Sequence, residues 1–342
     1  MPQAMSTPTE PSLERVYGAF TAYQRTAAIK AAIELDLFTA IGEGATTVAT
    51  LARRTGASER GLRMLCDFLT ADGFLVRDGE AWGLAPTAAV FLDGRSPACI
   101  ASAVSFITSP TIVEGFARLT DAVRRGGTAL AADGALAPEH PVWVQFARSM
   151  APIANAVGGL VAGLLEAGRG ERWSVLDVAA GHGMFGIALA RENPNAVVTA
   201  LDWGNVLEVA RENAATAGVA DRFRTIAGSA FDADWGTGYD LVLLPNFLHH
   251  FHPAGCVRIL EKAKRALAPG GRVVIVEFVP NDDRRGPADP VRFALVMLAG
   301  TPGGDAYTFA EYRDMMARAG LAEPTMHELA PSPQRAIVAR RA

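Results

Sequence analysis

The chain contains six histidines, and three of them fall within four positions, at His249, His250 and His252. They follow an apolar segment ending in LLPN, which is typical of a buried strand. Imidazole titrates near neutral pH as a base and is also a common metal ligand. The cluster could therefore hold a metal ion, supply one catalytic base beside two loop residues, or have no chemical role.

A metal site would need the three imidazoles to converge on one point. Side chains at adjacent positions just after a strand tend to diverge, and no cysteine pair or HExxH helix supplies further ligands. The sequence therefore predicts no metal and favours one general base beside two loop residues, with a structural role as the alternative. A positioned general base typically raises a reaction rate by about 10²–10⁴.

Acidic and small residues precede this cluster at the ends of predicted strands. Strand Ser174–Val178 contains Asp177 and leads through the turn at 179–183 (AAGHG) into a helix. Small residues in such a turn let a ligand approach the backbone beside the helix N-terminus. The next strand ends at Asp202, where an acid commonly binds ribose hydroxyls, although a helix N-cap is the alternative. Trp203 could pack on an adenine ring.

Strands and helices alternate from Trp173 onward, which predicts an α/β fold with a parallel, doubly wound sheet. Ligands of such sheets bind at the carboxyl ends of the strands. A strand at Tyr239–Asn246 and another ending at Glu277 bring further polar groups to that edge. The groups at or just beyond the strand ends are Asp177, Asp202, Asn246, His249 and Glu277.

Residues 12–98 predict a mainly helical domain with the winged-helix pattern. A helix ending near Arg54, a turn at 56–58 and a second helix precede a hairpin around Asp78-Gly79. The second helix mixes arginines with acids and lacks the basic face of a DNA reader. We therefore expect no nucleic-acid partner. The helices around Val16–Phe38 are too apolar to face water alone, so we also expect a homodimer.

Composition narrows the class of protein further. The formal net charge of −4 gives no pull toward nucleic acid or an anionic membrane. The three cysteines are scattered and form no disulfide framework, which favours a reducing cytoplasm. No apolar run is long enough to span a bilayer. The first twelve residues are typical of a disordered tail without signal-peptide features, and residues 127–140 are typical of a loop between helices.

Five segments together carry a family resemblance: VLDVAAGHG, ALDW, GSAF, LAPGGRVVIVEF and GGDAYTFAEYRDMMARAG. From about Ser12 onward the chain resembles the S-adenosylmethionine-dependent small-molecule O-methyltransferases of plant phenolic and bacterial antibiotic metabolism. The resemblance implies a winged-helix dimerisation domain at 12–98, a helical linker with pocket-lining helices at 99–168, and a Rossmann-like class I methyltransferase domain at 169–342. It also implies S-adenosylmethionine as cofactor, S-adenosylhomocysteine as product and a small-molecule acceptor.

The resemblance implies a set of cofactor-binding residues with two departures from the family pattern. Two glycines usual in the first turn are Ala179 and Ala180 here, and Ser229 replaces an aspartate that binds the adenine amino group. A serine oxygen or a backbone carbonyl must then accept that hydrogen bond. The implied cofactor contacts are Asp177, Ala179, Gly181, Gly183, Asp202, Trp203, Gly228, Ser229, Ala230, Phe231 and Asn246.

The resemblance also assigns catalytic roles. His249 matches the family's general base, and Glu277, 28 positions later (277 − 249), matches the glutamate that orients it. His250 occupies a site usually held by aspartate, and Ala306, next to Asp305, replaces a second glutamate. The second replacement leaves C- or N-methylation, or a relative that does not methylate, as alternatives. A winged-helix regulator that senses the cofactor is the non-enzyme alternative.

Apolar residues are expected to line the acceptor pocket, although such stripes are often simply core. The segment FARSM lies, by resemblance, on the helix that flanks the transferred methyl group. His182 is interpreted as a solvated loop residue. The predicted pocket residues are Phe106, Phe146, Met150, Phe293 and Met297.

Overall fold

The computed structural model describes residues 10–130, 139 and 141–341, and the fold below refers to these. They form two compact units, which divide between Val104 and Ser105. The predicted N-terminal tail and the predicted loop at 127–140 lie largely outside the described residues.

The first unit is mainly helical and contains a small hairpin. Its turn-helix-hairpin pattern is the predicted one: Ser58 caps α4 by accepting a hydrogen bond from the Gly61 N–H, and Asp78 pairs with Ala81 across the hairpin. The core is built around Leu37, Phe38 and Trp82. The elements are α1 Leu13–Glu34, α2 Leu37–Gly42, α3 Val48–Thr55, α4 Glu59–Ala71, β1 Leu75–Asp78, β2 Ala81–Leu84 and α5 Pro86–Phe91.

An apolar face of α1 is exposed in the isolated chain. Phe20 and Tyr23 expose 73% and 69% of their surface. Leu13, Val16 and Tyr17 continue the same face at helical spacing. Exposed apolar surface of this extent commonly marks a site of association.

The second unit begins with helices and continues into a sheet with helices on both faces. The helix α6 Ala103–Ile107 lies at the boundary between the units, followed by α7 Pro110–Ala117, α8 Leu119–Arg125 and α9 Pro141–Leu164. Within the described ranges, we find no helix with both the length and the apolarity needed to cross a bilayer. The helices around the sheet are α10 Met184–Glu192, α11 Gly204–Thr216, α12 Pro253–Ala266, α13 Ala288–Gly300 and α14 Phe309–Ala319.

The sheet has seven strands in the order β5-β4-β3-β6-β7-β9-β8. Its strands are β3 Trp173–Val178, β4 Ala196–Asp202, β5 Phe223–Ala227, β6 Tyr239–Pro245, β7 Leu267–Glu277, β8 Leu321–Glu328 and β9 Arg335–Arg341. The first five are parallel, as predicted, and their order reverses between β3 and β6, the position where such sheets bind ligands.

The last two strands in this order make the sheet a mixed one. β9 runs antiparallel to both β7 and β8. Only residues 329–334 join β8 to β9. So short a connection allows a hairpin but not the crossover that a parallel neighbour requires.

Candidate active site

The turn between β3 and α10 is built on left-handed backbone. Ala179, Gly181 and Gly183 have φ of 52°, 57° and 73°. A Cβ on Gly183 would lie 3.1 Å from both the Ala210 Cβ and the Phe223 ring, so glycine is favoured there. Ala179 adopts the same conformation although its Cβ disfavours it. The fold therefore tolerates alanine at position 179, where the family resemblance implies glycine.

Asp202, at the end of β4, is bonded to this turn. Its Oδ2 accepts the Gly181 N–H at 2.7 Å, and its Oδ1 accepts the Trp203 N–H at 2.7 Å. Burial raises the pKa of Asp202 to about 6, against the effect of these two bonds. The alternative role as helix N-cap does not fit, because Trp203 is the N-cap residue of α11 and no side chain caps that helix. The acid and the glycine turn thus form one structural feature.

Asp177 lies beneath the same turn. Its Oδ2 accepts the Gly186 N–H at 3.0 Å, which anchors the first turn of α10. Its Oδ1 has no hydrogen-bond partner among the described residues, and the residue is fully buried. Burial raises the pKa of Asp177 to about 7. The carboxyl group therefore supports the turn from inside the protein.

The GSAF segment is brought beside Asp202. The Gly228 N–H donates to the Asp202 carbonyl at 2.9 Å. The Ser229 Oγ accepts the Phe231 N–H at 3.1 Å, and the Ala230 carbonyl accepts the Trp235 indole N–H at 3.0 Å. Ser229 is half-buried and its hydroxyl hydrogen remains able to donate.

Trp203 and Asn246 complete the predicted cofactor set. Trp203 packs against α9 and α11 in a cluster with Ala147 and Val206. Asn246 follows β6 rather than ending it, with a left-handed φ of 52°. Its Oδ1 accepts a hydrogen bond from the Gln334 amide, a partner that the sequence did not indicate.

His249 and Glu277 form the main polar contact beyond β6 and β7. The His249 Nδ1 lies 2.5 Å from the Glu277 Oε2, and both residues are buried. The Glu277 Oε1 accepts the backbone N–H groups of Phe247 at 3.0 Å and His249 at 3.3 Å. A carboxylate can only accept, so Nδ1 carries the hydrogen and Nε2 keeps a free lone pair. An imidazole in this tautomer can act as a base through Nε2.

The neighbouring histidines are used differently. His252 is exposed and caps α12, its Nδ1 accepting the Gly255 N–H at 3.3 Å. The His250 Nδ1 donates to the Phe247 carbonyl at 3.1 Å. Among the residues that the structure describes, no three His, Cys, Asp or Glu side chains are grouped so as to hold a metal ion.

Asp305 does not replace the missing second glutamate beside His249. Its carboxylate pairs with the Arg284 guanidinium at 3.3 Å, and only its backbone N–H reaches the His249 carbonyl, at 3.0 Å. Ala306 is buried. Glu277 is therefore the carboxylate in contact with the His249 ring.

Aromatic rings connect the predicted pocket residues to this histidine pair. Phe293 packs edge-on against the His249 ring at 4.8 Å, and Phe278 stacks on Phe293 at 4.2 Å. On the other side, Trp143 packs edge-on against His250 at 5.3 Å. Sequence reasoning missed Trp143 and Phe278, because an aromatic residue in an apolar segment does not reveal which face it occupies.

Among the remaining predicted pocket residues, Phe146 lies beside the glycine turn, with a ring carbon 3.5 Å from where a Cβ on Gly181 would stand. Phe146 packs edge-on against Trp143 at 6.0 Å and against Phe106 at 5.0 Å. Met150 is half-buried one turn after Phe146 on α9, and Met297 is buried one turn after Phe293 on α13.

His182 is buried, so its interpretation as a solvated loop residue is wrong. Its ring stacks on Phe146 at 5.8 Å, and its Nδ1 accepts the Met184 N–H at 3.1 Å. Burial lowers the pKa of His182 to about 4. The backbone curl at Gly181 and Gly183 turns this side chain inward, and a local sequence pattern does not show that.

The geometry suits an adenosyl cofactor with an amino-acid tail. A left-handed turn with glycine at positions 181 and 183 lies beside the N-terminus of α10, where polar groups of a ligand are favoured. The half-buried Asp202 carboxyl group at the end of the adjacent strand suits ribose hydroxyls. Together with the strand order, these features define the class I methyltransferase fold.

Comparisons with known protein families lead to the same class of protein. Residues 116–322 match the O-methyltransferase domain and residues 18–94 match the O-methyltransferase dimerisation domain. The chain therefore belongs to the O-methyltransferase family with an N-terminal dimerisation domain. It is an S-adenosylmethionine-dependent O-methyltransferase of small metabolites, and the glycine turn and Asp202 fit that cofactor.

Individual proteins and solved structures are also similar to this chain. A 3-hydroxy-5-methyl-1-naphthoate 3-O-methyltransferase of Streptomyces sahachiroi is 31% identical over 307 residues, covering 89% of this chain and 88% of its own. A candidate O-methyltransferase of Nostoc punctiforme is 50% identical with a TM-score of 0.92, over 97% of this chain and all of its own. Human N-acetylserotonin methyltransferase in complex with S-adenosylmethionine shares the fold at 22% identity, with a TM-score of 0.84 over 98% of this chain and all of its own.

Proposed function

We propose that this enzyme methylates a hydroxyl group of a small, largely apolar or aromatic metabolite, with His249 as the general base. The observation that carries the proposal is the buried His249–Glu277 contact of 2.5 Å beside a wall of aromatic rings. The Streptomyces sahachiroi relative is named for methylating the hydroxyl of a naphthoate, which supports an aromatic acceptor.

The proton transfer follows from the tautomer of His249. The acceptor hydroxyl gives its proton to Nε2 as its oxygen forms the new bond to carbon. The Glu277 carboxylate on Nδ1 stabilises the resulting imidazolium and keeps the ring in place. S-adenosylmethionine supplies an electrophilic methyl group on a sulfonium, whose carbon–sulfur bond breaks to leave a neutral thioether. Positioning of the acceptor oxygen contributes further to the rate.

Cofactor binding is assigned to the groups around the glycine turn. Asp202 would receive the ribose hydroxyls, and Gly181 and Gly183 would face the methionine part. Trp203 and the GSAF segment would flank the adenine, with Asp177 supporting the turn from below. The remaining assigned contacts are Ala179, Gly228, Ser229, Ala230, Phe231 and Asn246.

The acceptor would lie between the two aromatic groups on either side of the histidine pair. Phe293 and Met297 on α13 would contact one face of the ring, and Phe106, Phe146 and Met150 the other. Their burial or partial burial shields the reacting groups from water.

We further propose a homodimer in which the apolar face of α1 is covered. The dimerisation-domain match and the exposure of Phe20 and Tyr23 support this assembly. We assign residues 12–98 to dimerisation, 99–168 to a linker with pocket helices, and 169–342 to catalysis.

A methyl-transfer screen tests the proposed reaction. The enzyme is incubated with methyl-labelled S-adenosylmethionine and a panel of phenols, alcohols and amines, and the labelled atom in each product is located by NMR. Label on an aryl oxygen is the expected result. Transfer only to carbon or nitrogen would contradict the proposed acceptor chemistry.

A further inference from the structure

The loop between β5 and β6 contains the GSAF segment, which the proposed function places beside the adenine. Residues 228–238, all of them described, form neither helix nor strand. Within the loop, the Ser229 carbonyl accepts the N–H groups of Asp232 at 3.1 Å and Ala233 at 2.8 Å. The carbonyls of Phe231 and Ala233 are instead bonded by a side chain from outside the loop. The shape of the loop therefore depends on a neighbouring element.

Lys262, on α12, is the donor to both carbonyls. Its Nζ lies 2.8 Å from the Phe231 oxygen and 2.9 Å from the Ala233 oxygen. The same ammonium group lies over the Trp235 ring, 5.2 Å from the centroid, which is a cation–π contact. Hydrogen bonds from a charged donor are roughly twice as strong as those between neutral groups. One side chain therefore joins three positions of the loop to α12.

Two aromatic residues of the loop strengthen this connection. The buried Trp235 side chain donates its indole N–H to the Ala230 carbonyl at 3.0 Å. Phe231 packs edge-on against Phe251 at 5.0 Å between ring centroids. The guanidinium group of Arg258, also on α12, lies 5.1 Å from the centroid of the Phe231 ring. The loop is therefore held from the side of α12 by both polar and aromatic contacts.

The placement of the Lys262 ammonium group carries a cost in free energy. The side chain is half-buried, and burial lowers its pKa against the effect of nearby Asp232. A charge is favoured in such a place only where hydrogen bonds replace those to water. The two loop carbonyls supply these bonds, so removal of the ammonium group would leave both carbonyls without this donor and loosen the loop.

We propose that Lys262 is a positioning residue for the cofactor, which holds the β5–β6 loop in the shape that receives the adenine ring. It acts through the carbonyls of Phe231 and Ala233 rather than by contact with the cofactor. Ser229 stands where the family resemblance places an aspartate, and a neutral hydroxyl accepts a weaker hydrogen bond than a carboxylate. Recognition of the adenine amino group therefore depends on how firmly the loop is held. The inference rests on the proposed placement of the adenine.

Two ligands that differ at the adenine amino group test this proposal. Isothermal titration measures the affinities of the full-length protein for S-adenosylhomocysteine and for S-inosylhomocysteine, in which an oxygen replaces that amino group. We expect the wild type to prefer the adenosyl compound by about tenfold, the usual contribution of one hydrogen bond. Lys262→Met should weaken adenosyl binding by about five- to tenfold and reduce the preference to about twofold, because the loosened loop loses this bond. Lys262→Arg, which keeps a charged donor, should keep most of the preference.

Two further variants separate positioning from a general loss of structure. Lys264→Met makes the same substitution two positions later on α12, beside Gly320 rather than the loop, and should leave both affinities unchanged. Trp235→Phe keeps an aromatic ring but removes the indole donor to Ala230, so it should reduce the preference in part. It tests the loop independently of whether Lys262→Met folds.

The contradicting results distinguish this inference from the proposed function. Unchanged affinities in Lys262→Met, or affinities for both ligands that fall in the same proportion, would overturn the role of Lys262 alone. An unchanged preference in Trp235→Phe would also contradict a loop held in shape for the adenine. A wild type that binds both ligands equally would overturn the proposed placement of the adenine, and the inference with it. The titrations contain no methyl acceptor, so an error in the role of His249 would leave their result unaffected.

Discussion

The Asp202 carboxylate accepts a hydrogen bond from the Gly181 N–H, with 2.7 Å between Oδ2 and the nitrogen. This contact joins the end of β4 to the turn that follows β3. A half-buried acid and a left-handed turn are thus held in one fixed arrangement, which orders the backbone at the proposed cofactor site.

Asp202→Ala should weaken binding of S-adenosylhomocysteine by about 1–3 kcal/mol, because the variant loses the partner of buried polar groups. Isothermal titration measures the affinity. Asp221→Ala is the matched control, since Asp221 is exposed in the short turn before β5. Unchanged affinity in Asp202→Ala would remove the ribose assignment.

Gly183→Ala should lower the free energy of unfolding by about 1–3 kcal/mol, measured by urea denaturation. The new Cβ would lie 3.1 Å from its neighbours on a backbone with a φ of 73°. Gly159→Ala is the control, because that position on α9 has no atom within 4 Å of an added Cβ. Alanine there should be neutral or slightly stabilising. Equal effects in the two variants would show that the turn tolerates a side chain.

Asp177→Asn should change how stability depends on pH. Burial raises the pKa of Asp177 to about 7 in the folded protein, against about 4 in an unfolded chain. Between these values the folded state binds more protons, so the group destabilises the wild type progressively as pH rises. The stability of the variant relative to wild type should therefore increase from about pH 4 to about pH 7 and then level off. A relative stability that stays constant across this range, in urea unfolding at each pH, would contradict the raised pKa.

Phe20→Glu should dissociate the homodimer, because it places a charge in the centre of the exposed apolar face of α1. Sedimentation velocity at micromolar concentration measures the mass. Ala22→Glu places the same charge on the opposite side of α1 by helical periodicity, where the residue is also exposed, and should leave the dimer intact. A monomeric wild type would contradict the proposed assembly.

The sequence was most informative about residues that stand at the end of a predicted strand, because the strand fixes their position in the sheet. Asp177, Asp202 and Glu277 were predicted at one edge of the sheet because parallel strands share their direction, and all three lie at the ends of β3, β4 and β7. Family resemblance added the pairing of His249 with Glu277, which spacing alone does not show. The structure reports this pair in contact.

Other features depend on contacts that a local pattern does not contain. The inward turn of His182 follows from the left-handed glycines on either side and from the packing of Phe146. Trp143 reaches His250 from a helix more than a hundred residues earlier in the chain. The antiparallel placement of β9 follows from a short hairpin connection, which the earlier strand–helix alternation did not suggest.

The most direct test of the account is the turnover of His249→Ala with an identified acceptor, measured beside its affinity for S-adenosylhomocysteine. Turnover should fall by about 10²–10⁴ while this affinity stays near that of the wild type, because a base acts on the chemical step. His252→Ala, which removes only an exposed helix cap, should keep near-normal turnover. Near-wild-type turnover in His249→Ala would contradict general-base catalysis by this residue.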